Sequence, residues 1–328
     1  MNGGSGIASR PFRILALDGG GVKGAYAASV LATLEETTQC SCRDYFDLIS
    51  GTSTGGIIAL GLALGRTARE MCNFYAEYGD DIFPISGVAA RAMQTTRQLV
   101  RPKHDATRLR AALKSVFEDR TLAESSCRLV IPAYDLTEGR VFLFKTGHHT
   151  RFRFDIGLTA VDVAMATSAA PTLFTPAMIR RGGHAQYIDG GVWANCPALV
   201  ALTEAMHFLD AAPTDVDILS IGTTSQPFVV SRRRSAGGVL HWGSALIELI
   251  MTSQVQAVEA QASLLTEGGW HRINHITGRG RFGLDLAEST DDLIELGRSD
   301  AVKKANLSAV EKRFLNDTPA PPFVASVP

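Results

Sequence analysis

The chain of 328 residues has almost no net charge, no long apolar run and few cysteines. Its formal net charge is −1, whereas a general nucleic-acid binder carries a basic excess, so DNA and RNA are not expected partners. The longest strongly apolar stretch, Gly55 to Gly65, is far shorter than the roughly 20 residues of a membrane-spanning helix. The five cysteines are irregularly spaced, and the first residues lack the apolar core of a secretory signal. These absences predict a cytoplasmic protein without a membrane span, a disulfide framework or a metal site.

The order strand, glycine-rich turn and helix occurs twice near the start of the sequence. The apolar run Arg13 to Leu17 predicts a buried parallel strand, and a helix rich in Ala, Leu and Val follows from Ala25 to Glu36. Tyr45 to Ser50 predicts a second strand, and an apolar helix begins near Ile57. This repetition indicates an α/β fold with a largely parallel sheet.

We expect one large folded unit with an extension rather than several domains. After Gln226 the sequence becomes polar, then helical, and ends in a Pro-rich stretch. The expected divisions are a flexible N-terminus at 1–11, the main domain at 12–225, a helical extension packed on the same core at 226–315 and a disordered tail at 316–328.

A serine between two glycines follows the second predicted strand. GTSTG, at Gly51 to Gly55, fits the G-x-S-x-G pattern of a nucleophile elbow, in which small flanking residues permit a strained turn between a strand and a helix. The strand before it and the apolar helix after it supply the required context. We therefore predict Ser53 as a nucleophile, with a helix-capping turn as the alternative.

The motif DGGGVKG, from Asp18 to Gly24, permits two functions. Its G-x-G-x-x-G spacing between a strand and a helix is typical of a dinucleotide site, with Asp44 and Asp47 as candidates for a ribose contact. The same backbone N–H groups could instead hold the oxyanion of a tetrahedral intermediate, with Lys23 adding positive potential or bracing the loop. The motif alone leaves the two interpretations even, and its pairing with GTSTG favours the oxyanion site.

A third glycine-marked turn, in YIDGGVWANCPA, contains Asp189 followed by two glycines. A serine nucleophile needs a base, which is usually a histidine held by an acid. None of the eight histidines lies in a glycine-marked turn, although His207 and His241 follow Asp189 in the order of an α/β-hydrolase triad. A conventional triad is therefore the weaker alternative.

These motifs, in this order, resemble the patatin-like phospholipases. The blocks IPAYD (Ile131 to Asp135), ATSAAPTLFTP (Ala166 to Pro176) and LSIGTT (Leu219 to Thr224) are similar to further parts of that family. The resemblance covers roughly residues 12–225, which it marks as a patatin-like catalytic domain. It implies a three-layer α/β/α fold with a mostly parallel central sheet and a C-terminal helical extension. It also implies hydrolysis of phospholipid acyl esters without a cofactor.

The resemblance also implies residue roles. Ser53 is expected as the nucleophile and Asp189 as the general base of a Ser–Asp dyad without histidine. The oxyanion hole is expected on the backbone of Gly19, Gly20 and Gly21. Supporting positions in the motifs are Asp18, Lys23, Gly24, Gly51, Gly55 and Gly190. Residues 195–197 read Asn-Cys-Pro where the family usually shows Asn-Asn-Pro, which bears on local hydrogen bonding and not on the dyad.

The segment Pro84 to His104 mixes apolar and basic residues. It is consistent with a mobile lid or lipid-facing surface that attracts anionic headgroups, and a solvated helix face is the alternative. The candidate contacts to lipid or to an activator are Arg91, Arg97, Arg101 and Lys103. We expect reversible contact with the membrane surface, peripheral at the inner membrane when active, and we leave a homo-oligomer open.

A narrower resemblance concerns the CapV-type effectors of bacterial antiphage signalling, which a cyclic dinucleotide activates. It depends on Phe74 to Pro84, on Arg128 to Phe152 and on the helical tail. It implies a cyclic dinucleotide activator whose phosphates basic side chains would bind. The alternative from another class is a non-catalytic nucleotide-binding module built on DGGGVKG, which gives no reason for a serine at a glycine-flanked elbow.

Overall fold

A mixed β-sheet forms the middle layer of the molecule. The structure is a computed structural model that describes residues 10–84, 102–180, 183–228, 242, 244–278 and 281–326. The eight strands found in these residues are β1 (Phe12–Leu17), β2 (Leu48–Gly51), β3 (Arg128–Asp135), β4 (Arg140–Lys145), β5 (Ala177–Arg180), β6 (His184–Asp189), β7 (Val216–Ile221) and β8 (Trp270–Ile273).

The sheet is parallel at its centre and antiparallel at one end. The strand order is β5-β6-β3-β2-β1-β7-β8, and β4 pairs with β3 outside this path. β1 is parallel to β2 and β7, β2 is parallel to β3, and β7 is parallel to β8. The antiparallel pairs are those of β3 with β4, β3 with β6, and β5 with β6. The expected α/β fold with a mostly parallel central sheet is confirmed.

Helices cover both faces of this sheet. They are α1 (Gly24–Thr38), α2 (Cys42–Tyr45), α3 (Thr54–Ala63), α4 (Ala68–Ile82), α5 (Ala106–Phe117), α6 (Ala160–Ser168), α7 (Gly191–Ala194), α8 (Ala198–Phe208), α9 (Ser244–Leu265), α10 (Thr290–Ala301) and α11 (Lys304–Arg313). Among these described helices, none combines the length and the apolar character that a bilayer span requires.

The side chains of β1 show why three layers form. Leu15 and Leu17 point into the larger core, which contains α1, α3, α4 and α6. Ile14 and Ala16 point to the opposite face, where they meet α8 and α9. Because both faces of the strand are buried, the four residues from Ile14 to Leu17 are all apolar rather than alternating with polar residues. All ten residues of α3 are buried, so the helix that follows Ser53 lies inside the larger core.

Strand β3 brings the ends of two other strands together. Val130 pairs with Ser50 of β2 on one side and with β4 on the other. Ala133 pairs with Asp189 of β6 on one side and again with β4 on the other. Since a strand has only two edges, β2 and β6 lie end to end along the same edge of β3. They run in opposite directions, so their carboxyl ends meet.

The part of the chain after Gln226 contributes to the same sheet and core. β8 extends the sheet beside β7, and α10 packs on α1, where Tyr26 donates a 2.8 Å hydrogen bond to Asp300. Residues 316–326, expected to be disordered, contain no helix or strand. They are held by bonds such as that of 2.7 Å from Ala320 N to Asp44 O.

Candidate active site

Ser53 occupies a strained turn between β2 and α3. Its φ of 53° and ψ of −121° are values that non-glycine residues rarely adopt. Its backbone N–H donates to Thr167 Oγ1 at 3.0 Å, and the Thr167 hydroxyl donates to Pro132 O at 2.6 Å. This chain of bonds fixes the backbone of Ser53 to β3. The turn therefore has the conformation that a nucleophile elbow needs.

Asp189 is the last residue of β6, and its carboxylate meets the Ser53 hydroxyl. Ser53 Oγ donates to Asp189 Oδ2 at 2.6 Å, and the backbone N–H of Gly191 donates to Asp189 Oδ1 at 2.7 Å. Both Ser53 and Asp189 are buried. Burial raises the pKa of Asp189 from 3.8 to about 6, although the bonds from Ser53 and Gly191 lower it in part. The carboxylate is thus a stronger base than an exposed aspartate, and it is in contact with the hydroxyl proton.

The glycine loop that follows β1 packs directly beside Ser53. A Cβ added to Gly19 would lie 3.3 Å from Ser53 Cβ and 2.6 Å from Asn195 Oδ1, so a larger residue there would crowd both side chains. Gly21 has a φ of 59°, and a Cβ on it would lie 2.0 Å from Leu284 O. Gly19 therefore allows the backbone to approach the serine, and Gly21 allows it to approach Leu284.

The three expected oxyanion donors are not equivalent. The N–H of Gly19 donates to Asn195 O at 2.9 Å and is thus already engaged. Within the described part of the chain, the N–H groups of Gly20 and Gly21 donate to no protein acceptor. These two groups remain available for a substrate oxygen.

The carbonyl of Gly19 is held in a direction that aims the next N–H. Gly19 O accepts from Thr223 Oγ1 at 2.8 Å and from Asn195 Nδ2 at 3.4 Å. In a trans peptide the C=O and the following N–H point in opposite directions. Fixing Gly19 O toward Thr223 therefore turns the Gly20 N–H away from those side chains.

Lys23 lies at the far end of the loop and contacts the backbone that follows β7. Its Nζ donates to Thr224 O at 3.2 Å. Burial lowers the pKa of Lys23 from 10.5 to about 8, and the carboxylates of Asp18 and Glu248 raise it in part. The backbone N–H of the neighbouring Val22 donates to Leu284 O at 2.9 Å, which ties the loop to the C-terminal part of the chain.

The remaining predicted glycines mark close backbone approaches around the dyad. A Cβ on any of them would lie only 1.9–2.3 Å from another atom. They are Gly24, Gly51, Gly55 and Gly190. These positions therefore fix how closely α1, α3 and the β6 turn pack.

Three of the described histidines pair with carboxylates other than that of Asp189. His148 bonds to Glu204, His104 to Asp285 and His275 to Asp300, with ring nitrogens 2.9–3.0 Å from the carboxylates. His207 lies on α8, whereas His241 lies outside the described residues. In the described part of the chain, no histidine is hydrogen-bonded to Ser53 or Asp189.

Of the basic contact candidates, only Lys103 lies in the described residues. Its ammonium forms an ion pair with Asp285, which His104 also contacts. Asp285 directly follows Leu284, whose carbonyl binds the glycine loop. Arg91, Arg97 and Arg101 lie outside the described residues.

Sequence reasoning missed several polar side chains that hold the site. Thr167 and Thr223 lie within the blocks ATSAAPTLFTP and LSIGTT, so a signal for them was present, but their roles depend on contacts between distant segments. Arg272 lies on β8, in a stretch without any recognised motif. Its guanidinium bonds to Asp18 at 2.7 Å. Among the described residues, no group of three metal-ligating side chains occurs.

The chain is similar to known proteins. A family model described as patatin-like phospholipase matches residues 15–202. The chain is 33% identical over 326 residues to the cGAMP-activated phospholipase of Pseudomonas aeruginosa, across 96% of this chain and 92% of that protein. It is 35% identical over 281 residues to the cGAMP-activated phospholipase of Vibrio cholerae, across 79% and 78% of the two chains. Among solved structures, VipD from Legionella pneumophila aligns with a TM-score of 0.47 and 13% identity, over 92% of this chain and 67% of that one.

Proposed function

The chain belongs to the patatin-like phospholipase family, and from this premise we propose that Ser53 and Asp189 cleave acyl esters of membrane phospholipids. The observation that carries the proposal is the 2.6 Å contact between a buried serine hydroxyl and a carboxylate whose pKa is raised to about 6. A base with a pKa near the working pH combines availability with proton affinity. We therefore assign the acyl-ester hydrolysis of this family to the side chains of Ser53 and Asp189.

The first step forms an acyl-enzyme. Asp189 Oδ2 takes the proton of Ser53 Oγ while the oxygen attacks the ester carbonyl carbon. The negative charge that develops on the carbonyl oxygen is bound by the N–H groups of Gly20 and Gly21 at the start of the Gly21–Lys23 turn. Collapse of the intermediate breaks the ester C–O bond, and Asp189 returns the proton to the departing lysophospholipid oxygen.

The second step releases the fatty acid. A water molecule donates a proton to Asp189 and attacks the acyl carbon bound to Ser53. The same two N–H groups bind the second oxyanion. Its collapse regenerates the Ser53 hydroxyl with the proton from Asp189, so neither a metal nor a histidine takes part.

We further propose that a cyclic dinucleotide switches this activity on, in defence against phage. Both bacterial relatives described above carry the name cGAMP-activated phospholipase, and one of them aligns with 96% of this chain. The basic segment Pro84 to His104 would contact anionic lipid headgroups or the activator's phosphates when the protein lies on the inner membrane surface. Lys103, near the end of this segment, forms an ion pair with Asp285. The preceding residue, Leu284, accepts a hydrogen bond through its carbonyl from the N–H of Val22 in the glycine loop.

The alternative of a non-catalytic nucleotide-binding module has less support. Asp47, a ribose candidate, already binds Arg10 with two hydrogen bonds of 2.6 and 2.8 Å. The N–H of Gly19, which a pyrophosphate site would use, already donates a hydrogen bond to Asn195 O. Such a module also needs no contact between Ser53 and a buried carboxylate.

Covalent labelling with a fluorophosphonate tests the nucleophile. The probe phosphonylates an activated serine and displaces fluoride. We expect labelling at Ser53 in the wild type and none in Ser53→Ala, whereas Ser253→Ala, which removes an exposed serine of α9, keeps full labelling. Equal labelling of the wild type and Ser53→Ala would remove Ser53 from the mechanism.

Charge reversal tests the basic segment. Arg97→Glu/Arg101→Glu is expected to weaken binding to anionic vesicles or the response to cGAMP by about tenfold. The matched control Arg140→Glu/Arg298→Glu reverses two exposed arginines elsewhere on the surface and leaves both unchanged. If Arg97→Glu/Arg101→Glu alters neither measurement, the segment contacts neither lipid nor activator.

A further inference from the structure

Arg272 binds Asp18, the residue from which the glycine loop starts. It is on β8, in register with Ser220 of β7. Its Nη2 donates to Asp18 Oδ2 at 2.7 Å, and its Nη1 donates to Asp18 Oδ1 at 3.3 Å. Nη1 also donates to Ser220 Oγ at 2.6 Å. The guanidinium thus binds the Asp18 carboxylate through two nitrogens and connects it to Ser220 of β7.

Two carboxylates share this buried guanidinium. The side chain of Arg272 is 11% exposed and that of Asp18 is 3% exposed, so water screens their charges little. On the other side, Arg272 Nε lies 2.5 Å from Glu259 Oε1 of α9, as an ion pair in which the N–H does not point at the oxygen. Arg272 therefore connects α9 to the start of the glycine loop.

Asp18 is placed where its position and charge both affect the oxyanion donors. It lies one residue before Gly19 and two before Gly20, and its own N–H donates to Ile221 O at 3.0 Å. A displaced Asp18 would shift the peptide planes that aim the N–H groups of Gly20 and Gly21. An unpaired buried carboxylate there would also repel the negative charge of a tetrahedral intermediate.

We propose that Arg272 is a positioning residue for the oxyanion donors: it holds Asp18 in place and cancels its charge. The inference rests on the proposed function of Ser53 and the glycine loop. It adds that the extension after residue 226 completes the site, since Arg272 and Glu259 both lie beyond the 15–202 match to the family. Without the extension, the buried carboxylate of Asp18 would lose the guanidinium that pairs with it.

Four variants separate this role from general stability. Arg272→Gln removes the positive charge, and Arg272→Lys keeps the charge but loses the bidentate hydrogen bonds to Asp18. Asp18→Asn/Arg272→Gln removes both charges. Arg313→Gln is the matched control. Arg313 likewise pairs with an aspartate, Asp217, but Asp217 lies in β7 at the end of that strand away from the glycine loop.

The first readout is turnover of a soluble p-nitrophenyl ester by folded protein. Arg272→Gln is expected to lower kcat at least about tenfold with KM changed less than about twofold, because only the transition state uses the oxyanion donors. Arg272→Lys and Asp18→Asn/Arg272→Gln should each recover part of that loss. Arg313→Gln should keep the wild-type kcat even where its melting temperature falls. A kcat for Arg272→Gln no lower than that of Arg313→Gln overturns the proposal.

The second readout does not require activity. Amide hydrogen exchange in residues 19–23 is expected to be faster in Arg272→Gln than in the wild type and unchanged in Arg313→Gln. Unchanged exchange in Arg272→Gln contradicts the positioning role, whatever the enzyme does. Absence of ester turnover in the wild type both with and without cGAMP would instead contradict the proposed function, so the two failures are distinguishable. If Arg272→Gln does not fold, Arg272→Lys and the double variant answer the same questions.

Discussion

The Ser53 hydroxyl and the Asp189 carboxylate lie 2.6 Å apart although 136 positions separate them in the sequence. Their contact follows from β3, which pairs with β2 and β6 end to end along one edge. Ser53 follows the end of β2, and Asp189 ends β6. The sheet topology, rather than any local turn, therefore sets the distance between the two groups.

Asp189→Asn should abolish hydrolysis and stabilise the fold at neutral pH. Because the folded-state pKa of about 6 exceeds the model-compound value of 3.8, folding favours the protonated carboxyl. The contribution of this carboxyl to the stability of the native state is thus greatest below about pH 4 and is lost as the pH rises through about 6. Removing the ionisable group should raise the free energy of unfolding at pH 7 by up to about 3 kcal/mol.

Urea denaturation at pH 7 and near pH 4 measures this difference. The gain for Asp189→Asn should shrink at the lower pH, where the wild-type carboxyl is protonated in the folded state and partly protonated in the unfolded state. A variant less stable than the wild type at pH 7 would show that the carboxylate stabilises the fold.

The acid side of the pH–activity profile should report the same carboxyl. A protonated Asp189 cannot accept the Ser53 proton, so kcat/KM should fall about tenfold per pH unit below about pH 6. The measurement is turnover of a soluble ester, with the fold monitored by circular dichroism. Constant activity down to about pH 4 would exclude Asp189 as the base.

The alkaline side should report Lys23. Its pKa is lowered to about 8, so its positive charge beside the glycine loop disappears above that pH. Activity should decline there, because the charge favours the oxyanion. Lys23→Met should have low activity without this decline, whereas Lys304→Met, which alters an exposed lysine, should keep the wild-type profile. An unchanged alkaline limb in Lys23→Met would assign the limb to another group.

Ser53→Gly should be more stable than Ser53→Ala, although both are inactive. Alanine keeps the strain of a φ of 53°, which glycine adopts without cost. The expected difference in the free energy of unfolding is about 1 kcal/mol, measured by urea denaturation. If the alanine variant is the more stable, the turn is not strained.

The parts of the site that sequence could predict are those with local turn chemistry. Ser53, Asp189 and the glycines each lie in a short motif whose backbone demands restrict the residue types. The helix α4 was also within reach, since Thr67 and Glu70 form a capping box at its start. Its buried residues, such as Ala68, Met71 and Tyr75, recur at helical spacing.

Contacts between distant segments lay beyond the sequence. Arg272 is a single basic residue in a short strand, and nothing local links it to Asp18, 254 positions earlier. The engagement of the Gly19 N–H by Asn195 likewise depends on how β6 and β1 are placed in the sheet. Motifs thus predict which residues react, whereas the topology decides which groups hold and aim them.

Fatty-acid release from phospholipid vesicles tests the central claim most directly. The wild type and Ser53→Ala are compared with and without cGAMP, at equal protein concentration and with the fold of each verified. We predict release by the wild type in the presence of cGAMP and none by Ser53→Ala under either condition. Equal release by both proteins would contradict the assignment of Ser53, and no release by the wild type with or without cGAMP would contradict the proposed phospholipase activity.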